Sequence, residues 1–143
     1  MRKIASIVAL LLLAGPSTAL AQTASFKIIV HPSNPTAQMD KAMATRMFLK
    51  RTSTWDHGGK IRPVDQLLKA PVCKAFTESV LSRTTAAVGN YWTQRIFSGR
   101  GTPPPRMKSD AEVVAYVAKT PGAIGYVSAN ASTTGTKVIK FVP

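Results

Sequence analysis

Residues 97–128, FSGRGTPPPRMKSDAEVVAYVAKTPGAIGYVS, decide the reading of this chain. They spell a loop, a capped helix, a tight turn and a buried strand. Ser109 is placed to cap the helix and Glu112, three residues on, to reach back to it, which is the capping-box pattern. Ala111, Val113, Val114, Val117 and Ala118 then share one apolar helical face. Thr120-Pro121-Gly122 ends the helix, because proline cannot continue it and glycine takes a left-handed turn cheaply. Ala123-Ile124-Gly125-Tyr126-Val127 is small and apolar, as a strand covered by helices should be. The stretch is one helix–strand unit of a layered α/β domain.

Upstream, Ser25-Phe26-Lys27-Ile28-Ile29-Val30 reads as a strand, and His31-Pro32-Ser33-Asn34-Pro35 as the turn that leaves it. The pattern over residues 38–50 predicts a helix with Met39, Ala42, Met43 and Met47 on one face, capped by Asn34 or Thr36. Residues 51–60 form a polar loop closed by Gly58-Gly59. Residues 61–64 are a short strand that Pro63 pushes toward an edge. A helix starts at Pro71, which suits a first turn, and runs to about residue 82. Thr84 or Thr85 restarts a second helix with Val88, Trp92 and Ile96 on one face. The three prolines at 103–105 extend the following loop, and residues 138–142 make a final strand. Alternating strands and helices predict a mixed α/β sheet of about four strands covered by three or four helices. Tyr91, Trp92 and Phe97 are core candidates, and Trp55 and Tyr126 either core or the edge of a groove.

The first 21 residues have the outline of a secretory signal. Arg2 and Lys3 form the charged start, residues 4–13 the apolar core, and Ala19-Leu20-Ala21 the small-residue cleavage motif. The apolar run is shorter than the ~20 residues a membrane span needs. This divides the chain into a signal at 1–21 and one domain at 22–143, periplasmic or secreted, with no transmembrane segment after cleavage. The whole chain carries 19 Lys and Arg against 6 Asp and Glu, a formal net charge of +13. Such a balance attracts anions and anionic surfaces. Export argues against nucleic acid as the partner. Cys73 is the only cysteine, so an internal disulfide is impossible, and within a helix it reads as a buried, inert thiol.

The ordered motifs resemble a known family. Ile28-Ile29-Val30 with Asn34-Pro35, then Phe48-Leu49-Lys50, Trp55, Gly58 and Ile61 with Pro63-Val64, then Phe76 and Gly99-Arg100-Gly101, and finally Asp110 to Val114 with Thr120 to Val127, are similar to the second lobe of phosphate-binding proteins of ABC transporters. Those are type II periplasmic binding proteins. The resemblance covers roughly residues 26–130. It implies a solute-binding-protein-like lobe that takes phosphate or another oxyanion.

In that family an arginine and a Gly-Ser-Gly-Thr turn follow the Pro-Val strand and wrap the anion at a helix N-terminus, where unpaired N–H groups and the helix dipole favour negative charge. The matching positions here are Gln66 and Lys69-Ala70-Pro71-Val72. The arginine is gone, both glycines are gone, and Pro71 removes one N–H donor. The expected site is therefore Gln66, Lys69, Ala70, Val72 and Lys74, with weak binding. Ser98-Gly99-Arg100-Gly101-Thr102 is the alternative anion cradle. The other functional class is an envelope interaction module that has lost the anion site and docks a protein partner or a second copy of itself. His31 and His57 lack metal-ligand spacing, and the six acids are scattered singly. No catalytic residue, metal or cofactor is expected.

Overall fold

The computed structural model describes residues 25–143, so the expected signal at 1–21 lies outside the described residues. Strand β1 (Phe26–Val30) is the centre of a five-stranded mixed sheet ordered β2-β7-β1-β6-β3. It runs antiparallel to β6 (Ala123–Ser128), with Phe26 opposite Ser128 and Val30 opposite Ile124, and antiparallel to β7 (Lys137–Val142). β2 (Gln38–Asp40) lies parallel to β7 at one edge, and β3 (Arg62–Pro63) parallel to β6 at the other. Pro63 therefore stands on an edge strand, where its missing N–H costs no ladder bond. A two-stranded parallel ribbon, β4 (Asp65–Gln66) with β5 (Arg106–Met107), continues from β3. The main sheet of the described residues matches the expected mixed sheet of about four strands, with the short β2 added by pairing with the distant β7.

Alternation along the strands divides the core into two layers. Ile29, Val127 and Ala123 face α4 (Asp110–Lys119), packing with its Val113 and Val117 and with Val64. Ile28, Val30, Ile124 and Tyr126 face the opposite way. There they meet α1 (Lys41–Phe48) and α2 (Pro71–Phe76), which continues as a π-helical turn over Thr77–Leu81. α3 (Thr85–Phe97) adds Val88 and Trp92 to that layer. The result is a helix–sheet–helix sandwich, each sheet face hidden under helices.

Several sequence expectations change here. Residues 38–40 are a strand, so the first helix starts at Lys41 and its cap is Asp40, whose carboxylate accepts from the Met43 N–H at 2.7 Å. Asn34 instead makes a local turn, its Oδ1 accepting from Thr36 N. Met39 is buried as a strand residue, while Ala42 is exposed. Ser109 does cap α4 through Glu112 N, but the Glu112 carboxylate accepts from Lys108 N, one residue before the cap. Ile96 is 51% exposed and Phe97 86%, so the apolar face of α3 ends at Trp92. Trp55 and Tyr126 are both buried, which removes them from any groove edge. Among the described residues no helix is long and apolar enough to cross a membrane.

Candidate functional site

Gln66 closes β4 and is almost fully buried. Its side-chain amide donates to the Asp110 carboxylate at 2.8 Å and to the Tyr126 carbonyl at 3.1 Å, so both N–H bonds of the amide are committed inside the protein. Asp110 is the first residue of α4, where a negative group answers the unpaired N–H groups and the dipole. The same Asp110 oxygen accepts from Ser128 N at 3.1 Å. Burial pushes the Asp110 carboxyl up. The hydrogen bonds from Gln66 and Ser128, with the charge of Lys27, outweigh it and hold the group below the ordinary carboxylate range. A carboxylate belonging to the protein thus fills the donors at this end of the sheet.

Next to Gln66 lies a second buried group. One oxygen of Asp65 accepts from the Tyr126 hydroxyl and from the Gln66 N–H, the latter at 2.8 Å. The Cys73 thiol stands 3.9 Å from the same oxygen and 3.8 Å from Thr77 Oγ1. Burial raises the Asp65 carboxyl, partly offset by the Tyr126 and Gln66 hydrogen bonds and by Arg106. Burial, then the Asp65 charge, likewise push the Cys73 thiol up. Cys73 is fully buried, the inert environment expected from its place in a helix.

The remaining expected residues gather at the start of α2. Ala70 is the cap residue, and no side chain satisfies the first N–H groups of the helix. Pro71 stands at the first helical position and Val72 is buried, while Lys69 and Lys74 are both exposed. This leaves a helix start without a side-chain cap, with Lys69 just before it and Lys74 in the last turn of the short helix. The Asp65 carboxyl buried next to Cys73 opposes an anion there.

The alternative loop, Ser98 to Thr102, is exposed throughout and lies at the other end of a helix dipole. Ser98 N donates to the Gln94 carbonyl, Gly99 N to Ile96, and Arg100 N to Arg95. Ser98 Oγ donates to the Gln94 carbonyl at 2.8 Å, and Arg95 donates to the Arg100 carbonyl at 3.1 Å. Gly99 takes φ +66, the left-handed turn that ends a helix. The Ser98, Gly99 and Arg100 N–H groups therefore close the C-terminus of α3, where the dipole is negative.

Sequence reasoning missed Asp65, Asp110 and Tyr126 as partners of Gln66. The one local signal was an acid in the first turn of the Ser109-capped helix. Gln66 meets Asp110 of α4 and Tyr126 of β6 across 44 and 60 positions of sequence.

Solved structures carry the same fold. An ABC-type phosphate transport receptor from Vibrio cholerae superposes with a TM-score of 0.57 at 15% identity, covering 82% of this chain and 46% of that one. A Clostridium perfringens protein solved with bound phosphate gives 0.64 at 16%, covering 82% and 44%. PstS from Borrelia burgdorferi gives 0.63 at 14%, covering 82% and 47%. The chain thus spans less than half the length of these proteins, and its α/β sandwich matches one lobe of the type II binding-protein fold. No protein-family model and no curated protein sequence matches the chain.

Proposed function

We propose that this chain is an exported solute-binding-protein-like lobe that takes phosphate or a similar oxyanion weakly at the start of α2. The observation that carries the reading is the α2 N-terminus without a side-chain cap, with exposed Lys69 just before it and exposed Lys74 farther along the same short helix. The lobe fold, shared with phosphate-binding proteins, supports a binding role over a catalytic one. Lysines act as point charges, without the two-pronged geometry of an arginine. Gln66 adds no donor, because its amide is spent on Asp110 and Tyr126. Affinity is therefore low and falls with salt, since exposed charges are screened within about 8 Å at physiological ionic strength.

Calorimetric titration with phosphate and sulfate at two salt concentrations tests this. Weak binding that fades at high salt, and is lost when Lys69 and Lys74 are both changed to Ala, is the expected result. Tight, salt-insensitive binding that survives the double change overturns it.

The Gln66–Asp110 bond favours a second reading. With its own carboxylate seated on the available donors, the lobe serves as a cell-envelope interaction module that docks a protein or a second copy of itself. Absence of any heat with either anion, together with concentration-dependent self-association in sedimentation, selects that reading.

A further inference from the structure

Lys50, Lys60 and Arg62 stand together at the opposite end of the sheet. Val30, Ala123 and Arg62 mark that end, where β1 finishes and β6 and β3 begin. Gln66, Ser128 and Phe26 mark the other. At about 3.3 Å per residue the length of β6 separates the two ends by more than 15 Å, so a ligand at one does not touch the other.

A cleft of about 330 Å³ opens at this basic end, lined among others by Asn34, His57, Lys60, Arg62 and Gly122. No described acidic side chain lines it. Its rim is held in place by the buried Trp55, which donates from Nε1 to the Gly122 carbonyl at 3.0 Å and stacks on His57 with ring centroids 5.6 Å apart. The Gly58-Gly59 turn, at φ +91 and +90, completes the loop that carries His57 and Lys60 to the cleft. The main chain at Arg62 is fixed by its backbone N–H, which donates to the Gly122 carbonyl at 3.0 Å. Lys60 also faces an adjoining cleft with Lys50, whose ammonium is destabilised first by burial and then by the charge of Lys60. Lys60 and Arg62 therefore bring two positive charges to the cleft, with the exposed Asp56 on the same loop but outside its lining.

Asn34 adds an independent observation. It is 5% exposed, and its other polar atoms are satisfied: N donates to the His31 carbonyl, O accepts from Lys137 Nζ, and Oδ1 accepts from Thr36 N. The bond to Thr36 N fixes which end of the amide is nitrogen. That nitrogen is buried and has no acceptor among the described residues. A buried donor left unpaired costs about 1–3 kcal/mol, and Asn34 is one of the residues that line the cleft.

We propose that this cleft is a second oxyanion site, for a tetrahedral anion such as phosphate or sulfate, distinct from the α2 start. Arg62 offers the forked donor that the α2 region lacks. Lys60 supplies a second charge, and a small shift of the Asn34 side chain would bring a neutral donor to the ligand.

Amide-resolved NMR titration of the protein with sodium phosphate and with sodium sulfate, at ionic strength held constant with sodium chloride, tests the assignment. Saturable shifts are expected at the Gly58 and Gly59 amides and at the Asn34 side-chain amide. Changing Lys60→Gln and Arg62→Gln together should weaken binding read from those signals by about tenfold or more, the scale of lost charge-assisted contacts. Both side chains are exposed, so the core is untouched. The pair Lys69→Ala and Lys74→Ala should leave these signals unchanged. The second site is overturned if Gly58, Gly59 and Asn34 stay still, or if their shifts persist undiminished in the Lys60/Arg62 variant. Shifts confined to Val72, Cys73 and Lys74 would overturn it while upholding the α2 reading.

Discussion

The Tyr126 hydroxyl donates to the Asp65 carboxylate across 61 positions of sequence, with both residues buried. The Tyr126 ring also lies flat on Phe76, centroids 3.9 Å apart and planes within 3°. One side chain thus joins β6, β4 and α2. Tyr126→Phe keeps the stacking and removes the donor, leaving a buried carboxyl short of one partner. A loss of about 1–3 kcal/mol in stability is expected, read by urea denaturation. A change below about 0.5 kcal/mol would show that the bond is immaterial to stability.

The two carboxyls near Gln66 give opposite pH dependences. The folded state raises the Asp65 carboxyl, so its contribution is complete below the unfolded value and is lost as pH rises through the folded one. It lowers Asp110, whose contribution is present above the unfolded value and is lost as pH falls toward the folded one. Asp65→Asn should therefore gain stability relative to the parent as pH rises from the acidic range to neutrality. Asp110→Asn should lose relative stability over the same interval. Parallel curves for the two variants would refute the assignment.

How much of this was legible in the sequence depends on how local each signal is. The Ser109 cap, Pro121-Gly122 and the GAIGYV strand are written in neighbouring residues, and all appear where expected. Residues 38–40 carry a helical-looking pattern but pair with Lys140, Phe141 and Val142, about a hundred residues away. Tertiary pairing overrides the local period there. The Gln66 position was found through resemblance, but its bonds to Asp110 and Tyr126 were hidden, since no spacing rule links a strand end to a distant helix start.

Cys73 is fully buried, and its thiol is pushed up by burial and then by the Asp65 charge. The native protein should resist a disulfide reagent at neutral pH and react only as fast as it opens. Labelling followed by mass spectrometry along a urea gradient measures this. Full modification of the folded protein within the mixing time would sink the inert-thiol reading.

Gly122 and Gly125 are needed for different reasons, and replacing each by alanine separates them. Gly122 takes φ +83, and an added Cβ would collide with the Lys60 carbonyl oxygen, which belongs to a backbone that cannot swing aside. Gly125 has ordinary backbone angles, but a Cβ would sit 2.7 Å from Val64 Cγ1 and 2.8 Å from Val113 Cγ1, between β6 and α4. Branched side chains in a packed layer yield little, and overpacking of this kind costs about 1–3 kcal/mol. Gly122→Ala adds strain in the left-handed region to a backbone clash, so it should cost more than Gly125→Ala. Thermal denaturation should rank the parent first, Gly125→Ala second and Gly122→Ala last. The reverse order would mean that the turn between α4 and β6 relaxes more readily than the sheet–helix interface, and would contradict the geometry assigned to Lys60.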